Sequence, residues 1–261
     1  MCLIVVGWRA REDMELIVAA NRDEWRDRPA ESAHWWPDHP QIFAGRDLKA
    51  GGTWMGVTRD GRFAAVTNFR DPSDKRSTAR SRGALATEFL LGTESAGRYL
   101  SNLSARSHEY NAFNLILGDG ASLFYYGSRE GVPRAIEPGV HGLSNHVLDE
   151  PWPKVVRGRV AMELALAEHD PGAALFRMLS DRDPAEDEEL PDTGVGRQWE
   201  RRLSPPLIAG DDYGTRASTV MTISREGEVR FEERTRSASG DVSGIARVAF
   251  ALREAAASAS R

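Results

Sequence analysis

Met1-Cys2-Leu3-Ile4-Val5-Val6-Gly7-Trp8 and Leu16-Ile17-Val18-Ala19-Ala20-Asn21-Arg22-Asp23-Glu24 are the two runs whose reading decides the fold. Each is a short apolar run that reads as a β-strand. The first carries the only cysteine of the chain at its head, and the second ends abruptly in four polar residues. Arg9 to Glu15 between them is short and charged, so the runs pair as a hairpin or as neighbours. That brings Asn21, Arg22, Asp23 and Glu24 close to Cys2.

This arrangement has chemistry in it. Initiator methionine is normally trimmed when the second residue is small, as cysteine is, so Cys2 is expected to become the terminal residue. A terminal cysteine carries nucleophile and base together: its thiol has a pKa of about 8.5 and its α-amine one of about 7.7–8.0. If Met1 is kept the amine does not exist. A lone early cysteine is by itself more often a small buried hydrophobe. Position two, together with the polar strand end, weighs against that, and Asn21 to Glu24 reads equally as a solvated turn or as a site in which Arg22 holds a thiolate or a substrate carboxylate and Asp23 orients the amine.

Working outward, 261 residues with 41% hydrophobic and 28% charged side chains describe an ordinary globular chain with ample core. It is read as a single domain spanning 1–261. No apolar run approaches a membrane span, no basic region precedes the first strand as in a secretory signal, and one cysteine permits no internal disulfide. Cytoplasm is the default compartment. A net charge of −5 provides no field for nucleic acid. Lysine occurs only at Lys49, Lys75 and Lys154, an arginine bias assigned mostly to a GC-rich genome.

Trp25 to Pro40, with Trp35-Trp36, His34 and His39, reads as an aromatic loop, packed on its own core or covering a pocket. Gly51-Gly52 before Trp54 allows close backbone approach to a ligand or another strand. Asp60-Gly61 turns a hairpin of 53–58 and 62–67 that ends at Asn68-Phe69-Arg70. A basic loop of 70–82 and a helical pair, 83–91 and 95–103, follow. Strands return at 112–117 and 122–126, and a short one at 140–146 ends on Asn145. Helices are expected over 151–168 and 171–180, an exposed acidic loop over 182–193, and a hairpin of 215–223 with 228–233. Residues 242–252 suit either strand or helix. Hairpins alternating with helical pairs predict an α+β fold, two antiparallel sheets face to face with helices outside: a four-layer α/β/β/α sandwich.

Taken together, Met1-Cys2, Ala20-Asn21-Arg22-Asp23-Glu24, Gly51-Gly52-Thr53-Trp54, Thr67-Asn68-Phe69, Tyr110-Asn111-Ala112-Phe113-Asn114-Leu115, Gly142-Leu143-Ser144-Asn145, Pro151-Trp152-Pro153-Lys154 and Tyr213-Gly214-Thr215-Arg216 resemble, in this order, the NRDE-motif family, also called the transport and Golgi organisation protein 2 family. The resemblance runs from Met1 to about Glu233. Work on that family has pointed to haem trafficking, to acyl-CoA or lipid handling and to Golgi organisation. More distantly the chain resembles the cysteine N-terminal nucleophile amidases, such as penicillin V acylase and bile salt hydrolase, whose fold is the same sandwich. That resemblance implies Cys2 as nucleophile, Asp23 against the terminal amine, Asn68 and Asn145 near the oxyanion, and Arg216 close to the thiol. Asn21, Arg22, Glu24, Trp54 and Phe69 would contact substrate. One departure stands out: the amidases place an arginine three residues before the aspartate, where this chain has Ala20, and Arg22 lies beside Asp23 instead.

Two function classes follow. The first is a cytoplasmic hydrolase cleaving a small amide or thioester through Cys2, with no cofactor or metal required. The second is a non-enzymatic carrier using the same pocket for haem or an acyl-CoA, with Cys2, His34, His39 or His146 as axial ligands; without a Cys-x-x-Cys-His site any haem would be non-covalent. A pure interaction protein, with only the acidic loop in its favour, ranks last, and no obligate protein partner is inferred.

Overall fold

Alternation along the opening hairpin builds the centre of the molecule. β1 (Cys2–Arg11) and β2 (Met14–Trp25) pair antiparallel with Cys2 opposite Arg22 and Val6 opposite Val18. Ile4, Val6, Trp8, Leu16, Val18 and Ala20 enter one core, whereas Leu3, Val5, Ile17 and Ala19 enter another. A strand whose successive side chains point to opposite faces must be apolar at every position when layers cover both faces. The structure is a computed structural model and describes residues 2–74, 76 and 79–253.

The chain continues through β3 (Ala30–Trp35), β4 (Ile42–Asp47), β5 (Met55–Thr58) and β6 (Phe63–Asn68) to helices α1 (Gly83–Leu91) and α2 (Ala96–Ser104). Next come β7 (Phe113–Gly118), β8 (Leu123–Gly127), β9 (Arg134–Ala135) and β10 (Gly139–Leu143), then α3 (Pro153–Leu166), α4 (Gly172–Met178) and α5 (Arg197–Arg202). The last strands are β11 (Tyr213–Ser224), β12 (Glu228–Arg236) and β13 (Val242–Ala251). They form two antiparallel sheets, β10-β1-β2-β11-β12-β13 and β3-β4-β5-β6-β7-β8-β9. The sheets share an inner core from Ile4 and Met221 to Phe63 and Ile116. Leu85 and Phe89 of α1 and Leu100 of α2 cover the second sheet at Val66 and Leu115. Val155 and Met162 of α3 and Phe176 of α4 cover the first. This is the expected α/β/β/α sandwich. No helix among the described residues is long and apolar enough to cross a membrane.

Several local expectations are corrected. The aromatic stretch after β2 contains edge strand β3 rather than only a loop, and its tryptophans serve packing. Trp35 stands edge-on to Phe43 and Phe250 at 5.2 and 5.1 Å. Trp36 is buried and donates its Nε1–H to the Ala44 carbonyl at 3.1 Å. Residues 242–252 resolve as strand, α5 was not anticipated, and α3 starts at Pro153, whose ring suits a first helical position. Of the Gly51-Gly52 pair, Gly52 approaches the start of α1, where a Cβ would lie 2.7 Å from the backbone of Gly83, while Gly51 faces open space with φ +76°.

Close approach also seats α3. A Cβ on Gly158 would stand 2.7 Å from Val5 Cγ2, so α3 rests directly on β1. Lys154 lies four residues earlier on the same helical face, which carries it beneath the head of that strand.

Candidate active site

The period of two sorts the polar end of β2 into two environments. Arg22 and Glu24 share the intersheet face with Cys2 and, with Trp54, Asn68 and Arg216, line a cleft of about 610 Å³ between the sheets. Asn21, fully buried, turns to the helical side and donates from Nδ2 to the carbonyls of Leu179 and Pro206, both at 2.8 Å. Asp23 borders the cleft, but its carboxylate is engaged on the helical side. Its Oδ1 accepts from Thr215 Oγ1 at 2.7 Å, and its Oδ2 lies 4.0 Å from Lys154 Nζ.

Cys2 is held at both of its backbone polar groups. Its backbone N–H donates to Asn145 Oδ1 at 3.2 Å, and its carbonyl accepts from Ser144 Oγ at 2.9 Å. Asn145 Nδ2 in turn donates to the Asn68 carbonyl at 2.7 Å, tying the head of β1 to the end of β6 across the two sheets. Burial pushes the Cys2 thiol up and the Asp23 charge adds to this, while the Asp23 backbone N–H and Arg22 pull it down. A thiol raised by burial stays protonated near neutrality and needs a base to act as a nucleophile.

The two asparagines therefore differ. Asn145 spends its whole amide on the strand heads, whereas the Asn68 side chain lines the cleft and makes no hydrogen bond to the described residues. Arg216 occupies the β-bulge between Thr215 and Ala217, and its Nη1 donates to the carbonyls of Trp25, Arg26 and Arg28 at 2.9, 3.2 and 3.2 Å. It braces the turn after β2 from within the cleft. Phe69 is outside the cleft lining and stacks on His146, centroids 4.9 Å apart.

Beneath Cys2 lies a layer of charge that the sequence did not single out. Lys154 is 1% exposed, and its Nζ has no hydrogen-bond partner among the described residues. Burial lowers its ammonium to about 8 against the opposing pull of Asp23, and burial likewise raises the Asp23 carboxyl. Desolvation thus outweighs the attraction within the pair. Beside it Arg70 and Glu200 form a second buried ion pair, with the guanidinium 4.4 Å over the Trp152 ring. Glu200 Oε1 also accepts from Thr193 N and Oγ1, at 2.9 and 2.5 Å. Lys154 had a signal: it heads the stripe Lys154, Gly158, Met162 and Ala165, all buried, where an apolar residue is the rule.

The cleft is rich in arginine. Arg22 pairs with Glu24 at 3.6 Å, Arg28 with Asp47 at 2.6 Å, and Arg46 with Asp38 at 2.6 Å. Arg82 and Arg216 also line it and have no carboxylate within 4.0 Å among the described residues. Trp25, 49% exposed at the rim, stands edge-on to Tyr213 and Trp199. Of Cys2, His34, His39 and His146, only Cys2 lines the cleft. The described residues hold no cluster of three metal-binding side chains.

The loop that presents Asn145 is pinned by Asp149, whose Oδ1 accepts from Gly142 N at 2.8 Å and whose Oδ2 meets His141 Nδ1 at 2.7 Å. The Asp149 hydrogen bond raises the His141 pKa, and Asp149 is lowered, its burial overcome by His141 and Gly142. The histidine contribution is therefore fully present below its ordinary value of 6.5 and is lost as pH rises through the raised folded value. The Asp149 contribution is present above 3.8 and is lost as pH falls through its lowered folded value. Urea midpoints of wild type, corrected against His141→Asn, are expected to decline as pH rises above 6.5. A flat difference between the two proteins would contradict it.

The sequence matches the family described as Transport and Golgi organisation 2 over residues 1–238. A Transport and Golgi organization protein 2 homolog of Bos taurus is 36% identical over 257 residues, covering 90% of this chain and 93% of the bovine protein. The Homo sapiens homolog is 35% identical with the same coverage, and Transport and Golgi organization protein 2 of Drosophila melanogaster is 25% identical, covering 85% and 86%. Among solved structures, that of the mutant C2A conjugated bile acid hydrolase from Clostridium perfringens aligns with a TM-score of 0.43 and 9% identity, covering 95% of this chain and 92% of that one.

Proposed function

The chain belongs to the Transport and Golgi organisation 2 family, and from the geometry at the head of β1 we propose that it is a cytoplasmic N-terminal nucleophile hydrolase, cleaving an amide or thioester through Cys2. One observation carries this reading. The only cysteine of the chain heads a central strand, opens into the intersheet cleft, and has its backbone nitrogen held by Asn145 beside the buried Asp23. Once the residue ahead of it is trimmed, that nitrogen is an α-amine within reach of its own thiol.

The steps follow from the residues. The amine takes the thiol proton, and the thiolate, stabilised by Arg22 and the Asp23 N–H, attacks the substrate carbonyl. The free Asn68 amide is the donor available to the developing oxyanion, worth about 2.7–4 kcal/mol in kcat for such a group. The ammonium returns its proton to the leaving amine or thiol, and water attacks the acyl-enzyme to restore Cys2. Arg82 and Arg216, without carboxylate partners, favour a substrate that carries a carboxylate or phosphate.

The test is intact mass spectrometry before and after iodoacetamide at neutral pH. We expect a mass lacking methionine and a single adduct that forms faster than on free cysteine. A retained methionine, or labelling no faster than a free thiol, would count against hydrolysis. The same arginine-rich cleft supports a second reading, a carrier of an anionic acyl-CoA or haem; with no cleft histidine, a bound haem would be ligated by Cys2. A Soret band on haem addition that Cys2→Ala abolishes would favour it.

A further inference from the structure

Lys154 is a fully buried lysine with one carboxylate nearby and no hydrogen-bond partner among the described residues, an arrangement that structural stability alone does not reward. The charged and titratable groups that act on it are Asp23 of β2, Arg70 after β6, Cys2 of β1 and Glu200 of α5, and Asp23 in turn accepts a hydrogen bond from Thr215 of β11. Their formal charges at neutral pH, Asp23 and Glu200 against Lys154 and Arg70, cancel.

The hydrolase needs a terminal amine that is unprotonated when the thiol arrives at the substrate, because an ammonium cannot accept the thiol proton. Asp23 by itself works against this. In the register of β1 and β2, Cys2 faces Arg22, so Asp23 lies one step beyond the head of β1, on the side where the amine emerges. A lone buried carboxylate there would hold the amine as its ammonium counter-ion.

We propose that Lys154 is a positioning residue that shares Asp23 with the α-amine of Cys2, satisfying the carboxylate so that the amine stays neutral and able to take the thiol proton. The inference rests on the hydrolase reading above. With Lys154 and Arg70 balancing Asp23 and Glu200, a proton on the amine would place an uncompensated charge in a layer closed to water. The S–H proton moves to the amine nitrogen as the thiolate forms, and the ammonium passes it to the leaving group; Lys154 neither gains nor loses a proton in that cycle.

Because the chain has a single cysteine, growth on ¹⁵N- and ¹³Cβ-labelled cysteine yields one α-nitrogen and one β-carbon signal. The nitrogen follows the amine and the carbon the thiol across a pH titration. In wild type the amine midpoint is expected below the ordinary value of about 7.7–8.0. In Lys154→Met it is expected to rise by about one to two pH units, and in Lys154→Arg to stay near wild type. A wild-type midpoint at or above the ordinary value overturns the proposal without recourse to a variant, should Lys154→Met fail to fold. An unchanged midpoint in folded Lys154→Met overturns it while leaving the hydrolase reading in place. An amide-type nitrogen that does not titrate overturns the hydrolase reading, and this proposal with it.

Discussion

Glu200→Ala is expected to lower the unfolding free energy by about 3–5 kcal/mol, the usual cost of leaving one member of a buried ion pair without its partner. Both side chains are nearly inaccessible, 5% for Arg70 and 2% for Glu200, so solvent screening does not soften the loss. The substitution also strips the acceptor from Thr193 N and Oγ1 and removes the ion-pair partner of the Arg70 guanidinium, which lies over the Trp152 ring. Against a total stability of about 5–15 kcal/mol, that is a large share. Replacing both members, Arg70→Met with Glu200→Leu, removes the stranded charge and is expected to recover most of the loss. Urea unfolding of the three proteins decides the matter. A Glu200→Ala penalty under about 1 kcal/mol would mean that Arg70 finds water or another partner, and that the layer beneath Cys2 is less closed than it looks.

Cys2→Ala is expected to reduce turnover of any amide or thioester substrate at least about a thousandfold, as removal of a catalytic nucleophile does elsewhere. Stability is expected to change little. The backbone contacts to Asn145 and Ser144 involve no atom of the Cys2 side chain, and only a small, partly accessible sulfur is lost. Substrate affinity is expected to survive, since the cationic groups of the cleft are untouched. Turnover that persists in Cys2→Ala would dismiss the thiol as nucleophile, and absent turnover in wild type alongside ligand affinity lost in Cys2→Ala would favour the carrier reading.

Legibility in the sequence followed burial. The hairpins β1–β2, β5–β6, β7–β8 and β11–β12 were evident because their strands are apolar or, as in the Val229 and Phe231 of β12, alternate apolar with polar, and short polar connections join them. β3 was not, because an edge strand with Ala30, Glu31 and Ser32 exposed shows no apolar alternation. β13 was ambiguous because only alternate residues are half-buried and Ala, Gly and Arg suit helix as well. At the site, Cys2, Arg22, Asp23, Asn68 and Arg216 were gathered by motif and do meet at the cleft. The separation of Asn21 and Asp23 from Arg22 and Glu24 was implicit in the strand period, but a run of four polar residues hides which face each one takes. Arg70 read as part of a basic loop and Lys154 only as one of the family motifs, since nothing local to either shows that distant α5 and β2 supply their partners.

The long spans closing the site have a consequence for the order of events during synthesis. Cys2 meets Asn145 across 143 residues, and Asp23 meets Thr215 across 192. β2 cannot be enclosed until β11 has left the ribosome, so the first strand waits, exposed, through most of translation. On the hydrolase reading, trimming ahead of Cys2 has that interval in which to act, because afterwards Cys2 is 8% accessible at the head of a strand paired on both sides. The competence of this chain would then be set kinetically, by whether an aminopeptidase reaches the nascent terminus before the final hairpin docks.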